Sequence, residues 1–201
     1  AFWRRDGDVD FAGKHYRVEQ GKLATPFVSR NGKSPEIYVS GHSEASEQLA
    51  YSQGTCWLRV AEDPAKLAPI VAHARSRGVG VCLRLCLVCR PTREEAIEVA
   101  TSLLPEDKKE STTTLKDDSQ MYQEGNHLGN GSHWLNRSLW TGLVPHYGPV
   151  WTTLLGSPRE LAEMFLEYER IGVTEFIMSG WPEVDTVNVF GREVLPLIRR
   201  R

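Results

Sequence analysis

One repeated pattern constrains this chain more than any other: a short apolar strand, a turn of small or polar residues, then an amphipathic helix. The first unit is EIYVSG (36–41) followed by a helix from about Ser43 to Ser52, with Ser43 a good N-cap and Glu44 and Glu47 in its first turns. The second is TCWLRV (55–60) and a helix near Pro64 to Arg77, where Leu67, Ile70, Val71 and Ala74 share one face. The third is GVCLRLCLVC (80–89) with a helix over Thr92 to Leu104. Near the end, Ser157 and Pro158 open a helix that Gly172 stops, VTEFIMSG (173–180) forms a fourth strand, and a closing helix spans about Asp185 to Ile198. Strands apolar throughout, alternating with helices, predict an α/β fold of parallel units whose sheet is covered by helices.

An open doubly wound sheet and a TIM-type (β/α) barrel both fit. Polar and small residues gather just past the strand ends, at Ser40-Gly41-His42-Ser43, Ala61-Glu62 and Ser179-Gly180-Trp181. Barrel enzymes carry their chemistry there, so the barrel is favoured. A closed barrel has eight strands and typically about 250 residues. The four strands visible in these 201 residues amount to half of one.

The rest of the chain is less regular. The first 35 residues read as irregular, with turn signals at Asp6-Gly7, Ala12-Gly13 and Asn31-Gly32. A polar stretch over 105–134 reads as an insert or lid within a single domain, with Trp134 and Trp140 anchoring its end. Lys and Arg total 24 against 26 Asp and Glu, a net charge of -2, which gives no basic excess for a nucleic-acid partner. The longest apolar run, Val79 to Cys89, falls short of the roughly 20 residues that span a membrane. Arg4, Arg5, Asp6 and Asp8 stand where a secretory leader would be apolar. Of the four cysteines, Cys82 and Cys86 lie about 13 Å apart in an extended strand, with Cys89 on the other face. That spacing cannot share one tetrahedral metal ion, so buried free thiols in a reducing, cytoplasmic setting are expected.

Several segments together resemble the alkanesulfonate monooxygenase branch of the bacterial-luciferase-like, flavin-dependent monooxygenases. They are DFAGKHYRVE (10–19), PEIYVSGHSEASEQLA (35–50), GVCLRLCLVCRPTREEA (80–96), SLWTGL (138–143) and TLLGSPRELAEMFLEYERIGVTEFIMSGWPEVDTVNVFGREVLPLI (153–198). The resemblance is to the C-terminal half of that family. It implies a barrel enzyme that takes reduced FMN from a separate NAD(P)H-dependent flavin reductase, reacts it with oxygen and oxygenates an organosulfonate to an aldehyde and sulfite. The oxygen chemistry belongs to the cofactor, and the protein orients it and excludes water.

The resemblance also implies site residues. The turn Gly41, His42, Ser43 and Glu44 would hold the flavin phosphate, with Ser43 the hydroxyl donor; a strand turning into a helix presents free N–H groups to an anion. The plainer alternative is that Ser43 only caps the helix. Arg84, a charge inside an apolar strand, aligns with a family arginine that holds an anionic oxygen, and a guanidinium fork suits a sulfonate. Its alternative is a structural ion pair with Glu36 or Glu62. Trp181 would line the flavin pocket. Three positions depart from the family pattern: Cys86 stands where His is common, and Trp181 and Glu183 replace Tyr and His in Ser-Gly-Tyr-Pro-His. A family arginine is also missing near Pro145 and His146. A changed substrate or a decayed site would each explain these. Two other functions stay open: an inactive half-barrel that needs a partner chain, and a deazaflavin-dependent oxidoreductase of the same superfamily.

Overall fold

In a computed structural model, residues 8–24, 35–105, 123 and 133–199 are described. They fall into two units, 1–36 and 37–201. The polar stretch 105–134, with His127, lies almost wholly outside the described residues.

The first unit corrects the expectation of an irregular start. Strands β1 (Val9–Ala12) and β2 (Arg17–Gly21) pair antiparallel, with a shift in register between Val9 and Phe11. The Ala12-Gly13 signal is the hairpin turn, closed by Gly13 N–H donating to the Tyr16 carbonyl at 2.8 Å. The two strands carry no buried residue, so no alternation of apolar and polar side chains marked them as strands.

In the second unit, β3 (Tyr38–Ser40), β4 (Cys56–Val60), β5 (Gly80–Cys89) and β8 (Glu175–Gly180) run parallel in that spatial order. Helices α1 (Glu44–Gln53), α2 (Pro64–Ser76), α3 (Arg93–Ser102) and α4 (Pro158–Arg170) follow the expected units within a residue or two. Two strands had no counterpart in the sequence pattern. They are β6 (Leu139–Trp140) and β7 (Thr153–Gly156), an antiparallel pair whose lengths of two and four residues are too short to show a period. The closing helix starts earlier than expected, as α5 (Glu183–Val189), and continues through a π turn (Phe190–Val194) into α6 (Leu195–Arg199).

Register decides which side chains meet. The rows Ser40–Leu58–Cys82–Glu175 and Val60–Arg84–Ile177 each lie side by side across the sheet and share one face. The opposite face carries Trp57, Val81, Leu83, Leu85, Leu87 and Phe176. These pack on Leu67, Val71 and Ala74 of α2 and Leu161, Met164, Phe165 and Tyr168 of α4 to form the core. The Tyr38 hydroxyl donates to the Glu175 carboxylate. In a flat sheet their strands would stand about 14 Å apart, three spacings of about 4.8 Å. The contact therefore requires the sheet to curl with the Arg84 face concave, as an arc of a barrel does. Among the described residues the arc does not close. No described helix is long and apolar enough to cross a membrane.

Helix α4 begins with a capping box. Ser157 N–H and Oγ donate to Glu160 Oε2 at 2.9 and 2.7 Å, and Glu160 N–H donates back to Ser157 Oγ. Burial works against the Glu160 carboxylate, but the Ser157 bonds and the Arg93 charge outweigh it and hold its pKa below the usual value. A depressed carboxyl stabilises the fold above its unfolded pKa and ceases to do so as pH falls through the folded one. Glu160→Gln should therefore lower the urea midpoint at pH 7, with the gap to wild type closing as pH drops below about 4. Ser157→Ala should cost about 1 kcal/mol at pH 7. Urea titrations at several pH values check both; a Glu160→Gln gap independent of pH would contradict the assignment.

Candidate active site

The turn at 41–44 and Trp181 follow the C-terminal ends of parallel strands β3 and β8, and Arg84 lies on the concave face of β5. Gly41 has φ +138°, and a Cβ there would lie 2.2 Å from Ser46 Oγ, so only glycine lets the chain turn this sharply into α1. Trp57 Nε1 donates to the Gly41 carbonyl at 2.8 Å, and Val60 N–H donates to His42 Nε2 at 3.2 Å. Both bonds tie the turn to the neighbouring strand. They also give His42 a structural task, because its Nε2 is the acceptor of a backbone bond. Ser43 does cap α1: its Oγ accepts from Ser46 N–H at 3.2 Å and lies 2.8 Å from Ser46 Oγ. A hydroxyl pair of this kind uses one proton internally and leaves the other to donate outward. Glu44 is exposed in the first turn of α1.

Arg84 sits where β5 changes partners. Residues 80–84 of β5 pair with β4 and residues 86–89 pair with β7, while β8 runs along 82–87 on the other edge. Arg84 is the concave-face residue at the end of the β4 ladder, beside Val60, whose N–H holds His42. The turn and the arginine are thus joined through one strand. Of the two alternative partners, Glu36 and Glu62, the second pairs with Lys66 at 3.1 Å. Arg84 Nε is buried with no hydrogen-bond partner. A buried, unsatisfied cationic donor is costly, and such exceptions point to a ligand or a strained site.

One row further along lie Cys86 and Ser179, side by side. Cys86 Sγ is 3.4 Å from the Val150 carbonyl and 3.7 Å from Ser179 Oγ. Burial pushes the Cys86 thiol up, against a smaller opposing pull from Ser179 and the Arg84 charge. It is therefore a protonated, weakly polar group where a histidine would have carried a base. Trp181 follows β8 and is 49% exposed, an aromatic surface at the same end of the sheet.

All four cysteines are buried free thiols. Cys56 and Cys82 are diagonal neighbours on the same face of β4 and β5, and the Cys82 thiol, with burial, pushes the Cys56 thiol up. Sequence spacing missed this contact because it compared only cysteines within one strand. It also missed the Tyr38–Glu175 pair at the base of the concave face. The signal for Glu175 was available: an acid inside VTEFIMSG raises the same question as an arginine inside β5.

A family model for the luciferase-like monooxygenases matches residues 1–175. The chain belongs to that family. Solved structures of similar fold include a riboflavin lyase with modified FMN and riboflavin (TM-score 0.68, 21% identity) and an EDTA monooxygenase from Chelativorans sp. BNC1 (0.65, 15%). An F420-dependent secondary alcohol dehydrogenase holding an F420-acetone adduct is similar too (0.61, 17%). The match covers 96% of this luciferase-like chain with the lyase, 96% with the EDTA monooxygenase and 98% with the dehydrogenase, but only 48%, 50% and 58% of those proteins. The chain thus spans about half the length of its structural neighbours. At these identities the likeness concerns the fold: a mixed α/β architecture with a parallel sheet, as in luciferase-like barrels.

Proposed function

We propose that this chain forms one side of the active site of a flavin-dependent monooxygenase that uses reduced FMN and oxygen to convert an organosulfonate to an aldehyde and sulfite. The observation that carries the proposal is Arg84, whose buried Nε lacks a partner on the concave face, one strand away from the Gly41–Ser43 turn. A guanidinium in that state favours a small anion with several oxygens, which a sulfonate is.

The residues present fit FMN. Ser43 and Ser46 can offer a hydroxyl proton to a phosphate oxygen, beside the free N–H groups of the first turn of α1. The exposed Trp181 indole gives a face for the ring system. FMN, when bound, supplies the oxygen activation. Arg84 orients the anionic end of the substrate, and the turn fixes the cofactor's position. The neutral Cys86 thiol cannot serve as the base at neutral pH, so any proton transfer falls to another group or to water.

The proposed protein is cytoplasmic and receives its reduced flavin from an NAD(P)H-dependent reductase. To test the function, purified protein is supplied with reduced FMN, oxygen and a panel of alkanesulfonates, and sulfite is measured. Sulfite release that depends on reduced FMN is expected. Reduced FMN binding without sulfite from any sulfonate would overturn the substrate assignment. Binding of reduced F420 with no binding of FMN would instead favour the deazaflavin alternative, for which the F420-dependent neighbour is a structural precedent.

A further inference from the structure

The arc formed by β3, β4, β5 and β8 ends on two open edges. Among the described residues, β3 pairs only with β4, and β8 pairs only with β5. Each edge leaves backbone N–H and C=O groups on one side of its strand without a ladder partner, and such an edge is a template for pairing with another strand. Large apolar side chains stay exposed at the same two flanks. Tyr38 of β3 and Leu49 of α1 lie at one, 41% and 50% exposed. Ile177 and Met178 of β8 lie at the other, with Val184 and Val187 of the closing helix, these valines 73% and 71% exposed.

The two flanks suit each other. All four strands run in one direction, and a twofold rotation about an axis along the strands keeps that direction. It therefore brings the β8 edge of one copy beside the β3 edge of a second, parallel to parallel, and does the same on the opposite side. The curl is already present, since Tyr38 reaches Glu175 across the concave face. Two arcs of four strands make eight, the number at which a parallel β/α barrel closes. Length agrees with this count. The chain matches 48% of the riboflavin lyase and 50% of the EDTA monooxygenase, so two copies make about the length of one such protein. At each seam the exposed valines of a closing helix would be covered by the apolar flank of β3 and α1.

We propose that two copies of this chain associate through these flanks, with β8 of each beside β3 of the other, and close one eight-stranded barrel. Each copy then supplies half of the wall around the concave face that carries Arg84. The inference stands on strand edges and exposed side chains and does not depend on the proposed reaction.

Light scattering on the full chain at micromolar concentration, after size exclusion, should give twice the chain mass. A twofold closed assembly stops there, whereas an open one grows further. Leu49→Glu and Val187→Glu each place a charge in both seams, because every seam joins one β3 flank to one β8 flank. Each alone should raise the dimer dissociation constant about tenfold or more. Both positions are exposed, so the circular dichroism of either variant should match that of wild type. A folded monomer in the wild type, a species larger than a dimer, or a dimer that either substitution leaves intact would each overturn the proposal.

Discussion

Replacing Arg84 with Met should make the protein more stable and less active at once. The buried Nε has no partner in the fold, so its removal should relieve a cost of about 1–3 kcal/mol, read as a higher urea midpoint. The same change removes the only group argued to grip the anionic end of the substrate. Losing a buried charged contact of that kind costs enough to lower sulfite release on the order of a hundredfold. Opposite movements of stability and activity mark a residue retained for a ligand. Arg84→Lys should fall between, because it keeps the charge and loses the planar fork. If Arg84→Met instead lowers stability and spares turnover, the arginine is structural and the site proposal fails.

The second large effect is on the fold. Phe165 on α4 packs edge-on against Phe176 of β8 at 4.8 Å and against Phe190 of the closing helix at 5.4 Å. It joins three consecutive elements of the chain and is 3% exposed. Phe165→Ala should cost about 3–5 kcal/mol through lost burial and the cavity left behind. Phe165→Leu keeps much of the volume and should cost less than half as much. Urea unfolding measures both. Equal, small losses would mean that α4 and the closing helix are held by other contacts.

How much was legible beforehand follows from the kind of signal each element carries. The clearest parallel units showed because strands buried on both faces, as β4 and β5 are, must be apolar throughout, and a covering helix must repeat its apolar stripe every 3.6 residues. Both patterns are local, and β5 and α4 appeared within two residues of their bounds. The β1–β2 hairpin and the β6–β7 pair did not, since neither a ladder without a buried residue nor a two-residue strand writes a period into the chain. At the site, Gly41 and Ser43 were visible as turn and cap. The bond that makes His42 an acceptor for Val60 was not, because it joins residues 18 apart whose meeting depends on strand pairing.

From its residue order alone, this chain specified apolar strands, capped helices and a lone arginine within β5, because each follows from burial and local hydrogen bonding. Tertiary structure alone decided that Arg84 Nε goes unpaired, that Val60 N–H meets His42 Nε2, and that Tyr38 meets Glu175. The physical reason is that a polar group's partner is set by register and curvature. Those are properties of several strands together, which no single segment encodes.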